Sequence, residues 1–220
     1  MPKSGRLALS GALFAVAVVG IVLAVIALTS EPATLAFSAN QSGQVDVSLQ
    51  TVGTYGSGDH PTWVSYLTES PHGQWEHTTI WQVPAHTQIN VTIYQYDSGS
   101  PLRNQQLGQV TGTTGGDATL NGKSFSVIDS NSGNGVGHTF SMPTLGISVP
   151  LYGNSSTATL CAAAPCTTSS PHNVIEFSFM SPGPGDYPWQ CFVPCGLGWL
   201  YGNGGPMATV GYMGGFMMVT

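Results

Sequence analysis

Hydrophobic and polar positions follow two unlike patterns along this chain. From residue 7 to residue 28 no position carries a charge and most are apolar, a run of 22. As a helix it would reach roughly 33 Å at ~1.5 Å per residue, enough to span a bilayer. It is also longer than the ~7–15 apolar residues of a signal-peptide core. Beyond residue 30 no helical period is sustained. Short runs alternate apolar with polar side chains instead, and Gly, Pro, Asn and Ser separate them. This period of two predicts strands at 44–49, 78–83, 88–94, 124–128, 139–142, 174–179 and 215–219. Val83-Pro-Ala-His-Thr87 reads as the turn between two of them. A string of short strands with turn signals is an all-β sandwich or barrel.

The expected organisation is therefore an anchor over 1–29, a linker over 30–45 and one β domain over 46–220. Residues 55–77 hold His60, His72 and His77 among tryptophan and tyrosine, and read as an insertion packed on the sandwich. Residues 98–122 and 152–171 read as loops. Lys3 and Arg6 precede the apolar run and Glu31 follows it, so the positive-inside rule places 1–6 in the cytoplasm and the rest outside. Three sequons, at Asn40, Asn90 and Asn154, fit an exported domain.

Charge narrows the picture further. Charged residues make up only 6% of the 220, against ~25% in an average globular protein. After residue 6 the basic side chains are Arg103 and Lys123. Nothing in that set neutralises phosphates, which excludes nucleic acid as a partner. Apolar residues are 41%, too many for a disordered chain. A surface with so few titratable groups suits an acid-exposed extracellular face. It equally suits a Gly/Ser/Thr-rich β protein of any habitat. The sequence holds no Gly-x-Ser-x-Gly, no phosphate loop and no nucleophile–base pair, so hydrolytic chemistry has no support.

Outside the cytoplasm cysteines tend to pair. Cys161 and Cys166 flank Ala-Ala-Ala-Pro, a short loop that a disulfide would close. Cys191 and Cys195 sit in Tyr187-Pro-Trp-Gln-Cys-Phe-Val-Pro-Cys-Gly, followed later by Met207. They too could pair, or they could hold a metal.

Gly137-His-Thr-Phe-Ser-Met-Pro-Thr-Leu-Gly-Ile-Ser and Gly183-Pro-Gly-Asp-Tyr-Pro-Trp-Gln-Cys-Phe-Val-Pro-Cys-Gly together resemble the cupredoxins. The likeness is closest to the copper domain of cytochrome c oxidase subunit II, and Val83-Pro-Ala-His-Thr resembles the family's early strand pair. It covers roughly residues 78–220. It implies a Greek-key β-sandwich behind one N-terminal transmembrane helix. It also implies copper held by His138, Cys191, Cys195 and Met207, with Val193 supplying only a backbone carbonyl. The implied role is electron transfer as a membrane-bound, extracytoplasmic subunit of a respiratory oxidase, fed by a redox protein donor. Copper that cycles between oxidation states suits thiolate and imidazole ligands together.

One departure is plain. The family's second histidine falls at Trp199, and indole offers a metal no lone pair. No histidine follows His172. Two readings follow from the same residues. Copper is bound by His138, one or both cysteines and Met207 (or Met213), with or without a histidine from the insertion (His60, His72 or His77); or the domain is copper-free, with Cys191 and Cys195 as a disulfide or buried thiols, and acts as a structural or docking subunit. His86 reads as a surface turn residue and His172 as a loop residue.

Overall fold

The computed structural model describes residues 3–29, 32–56, 62–155, 161, 163–195 and 205–220, with side chains in the first stretch described from 12 to 25. The chain divides into two units, 1–31 and 32–220.

The first unit is a helix, α1 (Lys3–Thr29). Among the described residues no helix is long and apolar enough to cross a membrane. This departs from the spanning helix expected over 1–29. The described side chains of α1 run from residue 12 to residue 25. Within that stretch Leu13, Phe14, Val16, Ile21 and Leu23 are all exposed.

The second unit is a sandwich of two sheets. One has six strands, ordered β1 (Thr34–Ala36), β5 (Ile80–Val83), β13 (Gly214–Val219), β12 (Gly185–Gln190), β9 (Val136–Met142) and β10 (Ile147–Tyr152). The other has seven, ordered β4 (Trp75–Glu76), β3 (Trp63–Glu69), β2 (Gln44–Tyr55), β6 (Gln88–Gln95), β11 (Asn173–Met180), β7 (Ala118–Leu120) and β8 (Lys123–Phe125). The alternating segments of the sequence became strands for the usual reason. In β6 burial strictly alternates, with Ile89, Val91, Ile93 and Gln95 turned inward. Their apolar faces meet those of β2 and β11, with which β6 pairs in parallel and antiparallel register.

Two expectations are adjusted. Much of 55–77 is not a packed-on insertion, because β3 pairs antiparallel with β2 and β4 extends the same sheet. The linker over 30–45 contains β1, which pairs in parallel with β5.

The element that matters most for chemistry is β9, which is buried at every position. It lies between β12 and β10. A bridge from Ser100 to Val136 ties the segment after β6 to its start. Along β9, His138, Phe140 and Met142 share one face by the two-residue period. Beneath the site lies an aromatic cluster. Trp81 and Phe140 stack at 5.7 Å between centroids, and Trp189 lies 5.1 Å from each.

Candidate metal centre

Pairing between β12 and β9 sets Gln190 opposite Ser141. The chain leaving β12 therefore runs Cys191 past Phe140 and Thr139, toward His138. A side-chain clip holds this approach: the Phe192 N–H donates to Thr139 Oγ1 at 2.8 Å. The loop then turns about Val193, whose carbonyl oxygen lies 3.5 Å from Cys191 Sγ and 3.1 Å from Cys195 Sγ. Both thiols are thus aimed inward. They are free cysteines, with their sulfurs 3.4 Å apart.

His138 Nδ1 completes the cluster, 3.0 Å from Cys195 Sγ and 3.8 Å from Cys191 Sγ. All three ligand atoms lie within 4.8 Å of one another, on buried side chains. An ion about 2.0–2.3 Å from imidazole nitrogen and thiolate sulfur holds such donors roughly 3.5–4 Å apart. The observed separations of 3.0, 3.4 and 3.8 Å match that within a few tenths of an ångström. The residues present fit a soft metal ion.

The other side of His138 was not anticipated from sequence. Its Nε2 lies 3.0 Å from Asp97 Oδ2, and Asp97 Oδ1 accepts the Ser98 N–H at 2.7 Å. Glycine makes this approach possible. A Cβ on Gly137 would lie 2.6 Å from Gln95 Nε2 and 2.7 Å from Ser98 O. Any larger residue there would push the Asp97 turn away from the imidazole. Asp97 follows the apolar strand β6 in a chain with only ten acidic residues, and that isolation is the one signal the sequence offers.

These contacts set the charges. Burial lowers the His138 pKa, but the hydrogen bond that its Nε2–H donates to Asp97 and the contact with Cys191 outweigh it and raise the pKa to about 9. Burial pushes Asp97 up, but hydrogen bonding and attraction to His138, with the Ser98 N–H, hold it below its ordinary value. Burial also opposes the Cys191 thiolate. Hydrogen bonds from Cys195, His138 and the Thr139 N–H nevertheless bring it well below an ordinary thiol. Cys195 moves the other way, through its hydrogen bond with Cys191, then burial and the charges of Cys191 and Asp97. His138 stands nearer to Cys195, yet the charge belongs on Cys191. Only Cys191 receives a backbone N–H, from Thr139 at 3.4 Å, while Cys195 has the Val193 carbonyl as an acceptor at 3.1 Å. The four groups form a buried chain that runs from Asp97 through His138 to the two sulfurs.

The remaining residues of interest are placed as follows. Met207 is buried in the same core as Cys191 and Cys195, and its carbonyl accepts from Gln190 Nε2 at 3.1 Å. Met213 is buried too, its carbonyl accepting the Cys191 N–H at 2.9 Å. Cys161 and Cys166 form a disulfide. His77 does not join the cluster, being held between the rings of Tyr55 and Tyr212 at 4.2 and 4.6 Å. His72 is exposed and absent from it as well, so among the described residues the stretch 55–77 brings no histidine to the metal donors. His172 packs near Tyr96 at 5.0 Å. His86 adopts φ 51°, the left-handed region that favours glycine, in the turn before β6. His60, Trp199 and Tyr201 lie outside the described residues.

No protein-family profile matches the chain, and no curated protein does. Eleven solved chains match in structure. Among them is the copper protein rusticyanin, at 15% identity and TM-score 0.35, covering 84% of this chain and 82% of that one. Reduced rusticyanin matches at 15% identity and TM-score 0.34, with 84% of each chain covered. Rusticyanin from Thiobacillus ferrooxidans matches at 14% and 0.35, covering 84% and 82%. Superpositions this loose carry no argument about chemistry. What this chain itself displays is a two-sheet β-sandwich with an imidazole from one strand and two thiols from the loop after another.

Proposed function

We propose that this chain is a cupredoxin-type electron-transfer protein that binds one copper ion through His138, Cys191 and Cys195. The observation that carries this reading is the convergence of one imidazole and two unoxidised thiols at 3.0–3.8 Å inside a rigid sandwich. Copper bound there would supply a one-electron couple. The protein's part is to hold the donors still, so that a change of oxidation state moves few atoms. β9 fixes His138 from one side. The Thr139–Phe192 clip and the Val193 turn fix the thiols from the other. Asp97 holds the imidazole with Nδ1 toward the sulfurs. Binding displaces the Nδ1 proton and the Cys195 proton, so uptake releases protons. Met207 is the proposed thioether ligand.

The same reading takes residues 1–29 as a single-pass anchor with the sandwich outside the cytoplasm. Its support is the uncharged run at 7–28, Lys3 and Arg6 before it, and the apolar side chains exposed around α1. It also takes the domain as a subunit or partner of a respiratory oxidase, receiving electrons from an external redox protein. That rests on the likeness of the two ligand strings to oxidase subunit II. The competing reading, a copper-free structural subunit, draws on the 3.4 Å between the sulfurs, close enough to close into a disulfide, and on the absence of any histidine after His172.

One experiment separates them. The purified domain is denatured and its thiols counted, then native protein is titrated with copper under an absorption spectrum. Two free thiols, one copper per chain and strong thiolate-to-copper absorption are expected. No free thiols, or thiols without copper uptake, would refute the electron-transfer reading.

A further inference from the structure

The donor cluster is not equally enclosed on all sides. A cleft of about 300 Å³ opens beside it, lined among the described residues by Asp97, Ser98, Ser100, His138, Val193 and Cys195, with Gly99 and Gly137 in its floor. Two of the three donors reach it. The third does not: Cys191 is fully buried and absent from the lining, whereas Cys195 keeps 7% of its surface. Among the described residues the wall carries one carboxylate, from Asp97, whose side chain is 20% exposed, and no lysine or arginine. The small residues that shape it are constrained. A Cβ on Gly99 would collide with the Asn134 carbonyl, and one on Gly137 with Ser98 O.

From this asymmetry we infer that the cleft is the entry port for the metal ion, and that an incoming soft cation meets Cys195 and Asp97 before it reaches Cys191. Three features support a cationic visitor of this kind. Field lines from the single carboxylate focus in a cleft with low-dielectric walls and draw positive charge inward. The thiol at the inner end is a soft ligand that selects monovalent copper over harder ions. The space is too small for a protein partner but ample for an ion carrying a small ligand such as a thiol or halide. Cys195 would bind first, giving up its proton to the cleft; Cys191 and His138 Nδ1 would follow, the Nδ1 proton and the carried ligand both leaving into the cleft. No electron moves in this sequence. The inference rests on the metal-binding reading above and adds the route and the order of ligation.

The test uses the metal-free protein with its disulfide intact. Iodoacetamide labelling read by peptide mass spectrometry should modify Cys195 roughly tenfold more slowly in Ser100→Trp than in the parent protein, since the same thiol is compared and only its access through the cleft differs. Equal Cys195 labelling rates in the two proteins would overturn the port. Ser100→Trp places a large side chain in the cleft without touching a donor. With silver(I) as the probe, it should slow uptake roughly tenfold and leave the final stoichiometry at the parent value. Uptake at the parent rate would sink the port while leaving the metal site standing. No silver uptake by the parent protein would instead sink the metal reading itself. Should Ser100→Trp not fold, the same two rates are read in Val64→Trp, which fills the cleft from its other wall.

Discussion

The chain carries two close-set cysteine pairs, and they differ in almost everything except spacing. Cys161 and Cys166 are separated by Ala-Ala-Ala-Pro and joined as a disulfide. Cys191 and Cys195 are separated by Phe-Val-Pro and remain thiols, 3.4 Å apart. Burial does not explain the difference, because Cys166 is only 4% exposed. The surroundings do. Cys166 packs in a small apolar cluster with Val52, Leu67 and Tyr96, where a neutral disulfide is at home. Cys191 instead receives the Thr139 N–H and faces His138, which is backed by Asp97. That environment favours a thiolate, and a thiolate beside an imidazole is a metal ligand. Spacing decides whether two sulfurs can meet; the field around them decides what they do.

The sharpest break of this comparison is to remove one thiol from each pair. Cys191→Ser should abolish copper uptake and its visible absorption, as should His138→Ala. Cys161→Ser should leave both unchanged. Copper titration of the three variants reads this directly, and loss of binding in Cys161→Ser would erase the distinction.

Asp97→Ala comes next. The imidazole would lose the group that orients it, and metal affinity should fall about 10–100-fold, measured by competition with a chelator. Asp97→Asn should recover part of the loss, because its side-chain oxygen can still accept the Nε2–H. Affinity unchanged in both variants would leave Asp97 without a part in the site.

The disulfide contributes stability rather than function. Breaking a loop this short should cost about 2 kcal/mol in a urea unfolding series. A smaller effect in Cys161→Ser than in Cys191→Ser, in the metal-free protein, would reverse the roles assigned here.

The smallest effect is with pH, again in the metal-free protein. The raised pKa of His138, about 9, stabilises the fold below its ordinary value near 6.5, and this stabilisation fades as pH rises through 9. The lowered pKa of Asp97 stabilises the fold above its ordinary value near 3.8, and this is lost as pH falls through the lowered one. The pair therefore stabilises most fully between about pH 4 and 6.5. Cys191, whose pKa is lowered, adds stability as pH rises toward 9 and offsets the loss at His138 there. The test therefore lies on the acid side: a denaturation midpoint that does not fall as pH drops below about 4 would contradict the assignment.

Much of the sandwich was legible because period-two alternation is a local property. β6 and β11 appear within a residue or so of where their alternation placed them. β3 was missed for a reason of the same kind. Four successive residues, Ser65, Tyr66, Leu67 and Thr68, are buried, so both faces are covered and no alternation shows. The site divides similarly. His138 and the two thiols stood out because their neighbours form recognisable strings. Asp97 lies 41 residues before His138, in an undistinguished turn, and nothing local links the two.

By itself, then, the sequence determined the β architecture, the short span between each pair of sulfurs, and the three side chains able to bind a soft metal. Those follow from alternation and covalent reach, which neighbouring residues set. Only the tertiary structure decided which sulfurs joined and which stayed reduced in form, that Asp97 stands behind His138, that His77 is held elsewhere between aromatic rings, and that Cys195 rather than Cys191 faces a cleft. Each of these depends on which strands lie side by side. Charge and solvent access are fields summed over everything that packs around an atom, and no stretch of sequence contains that sum.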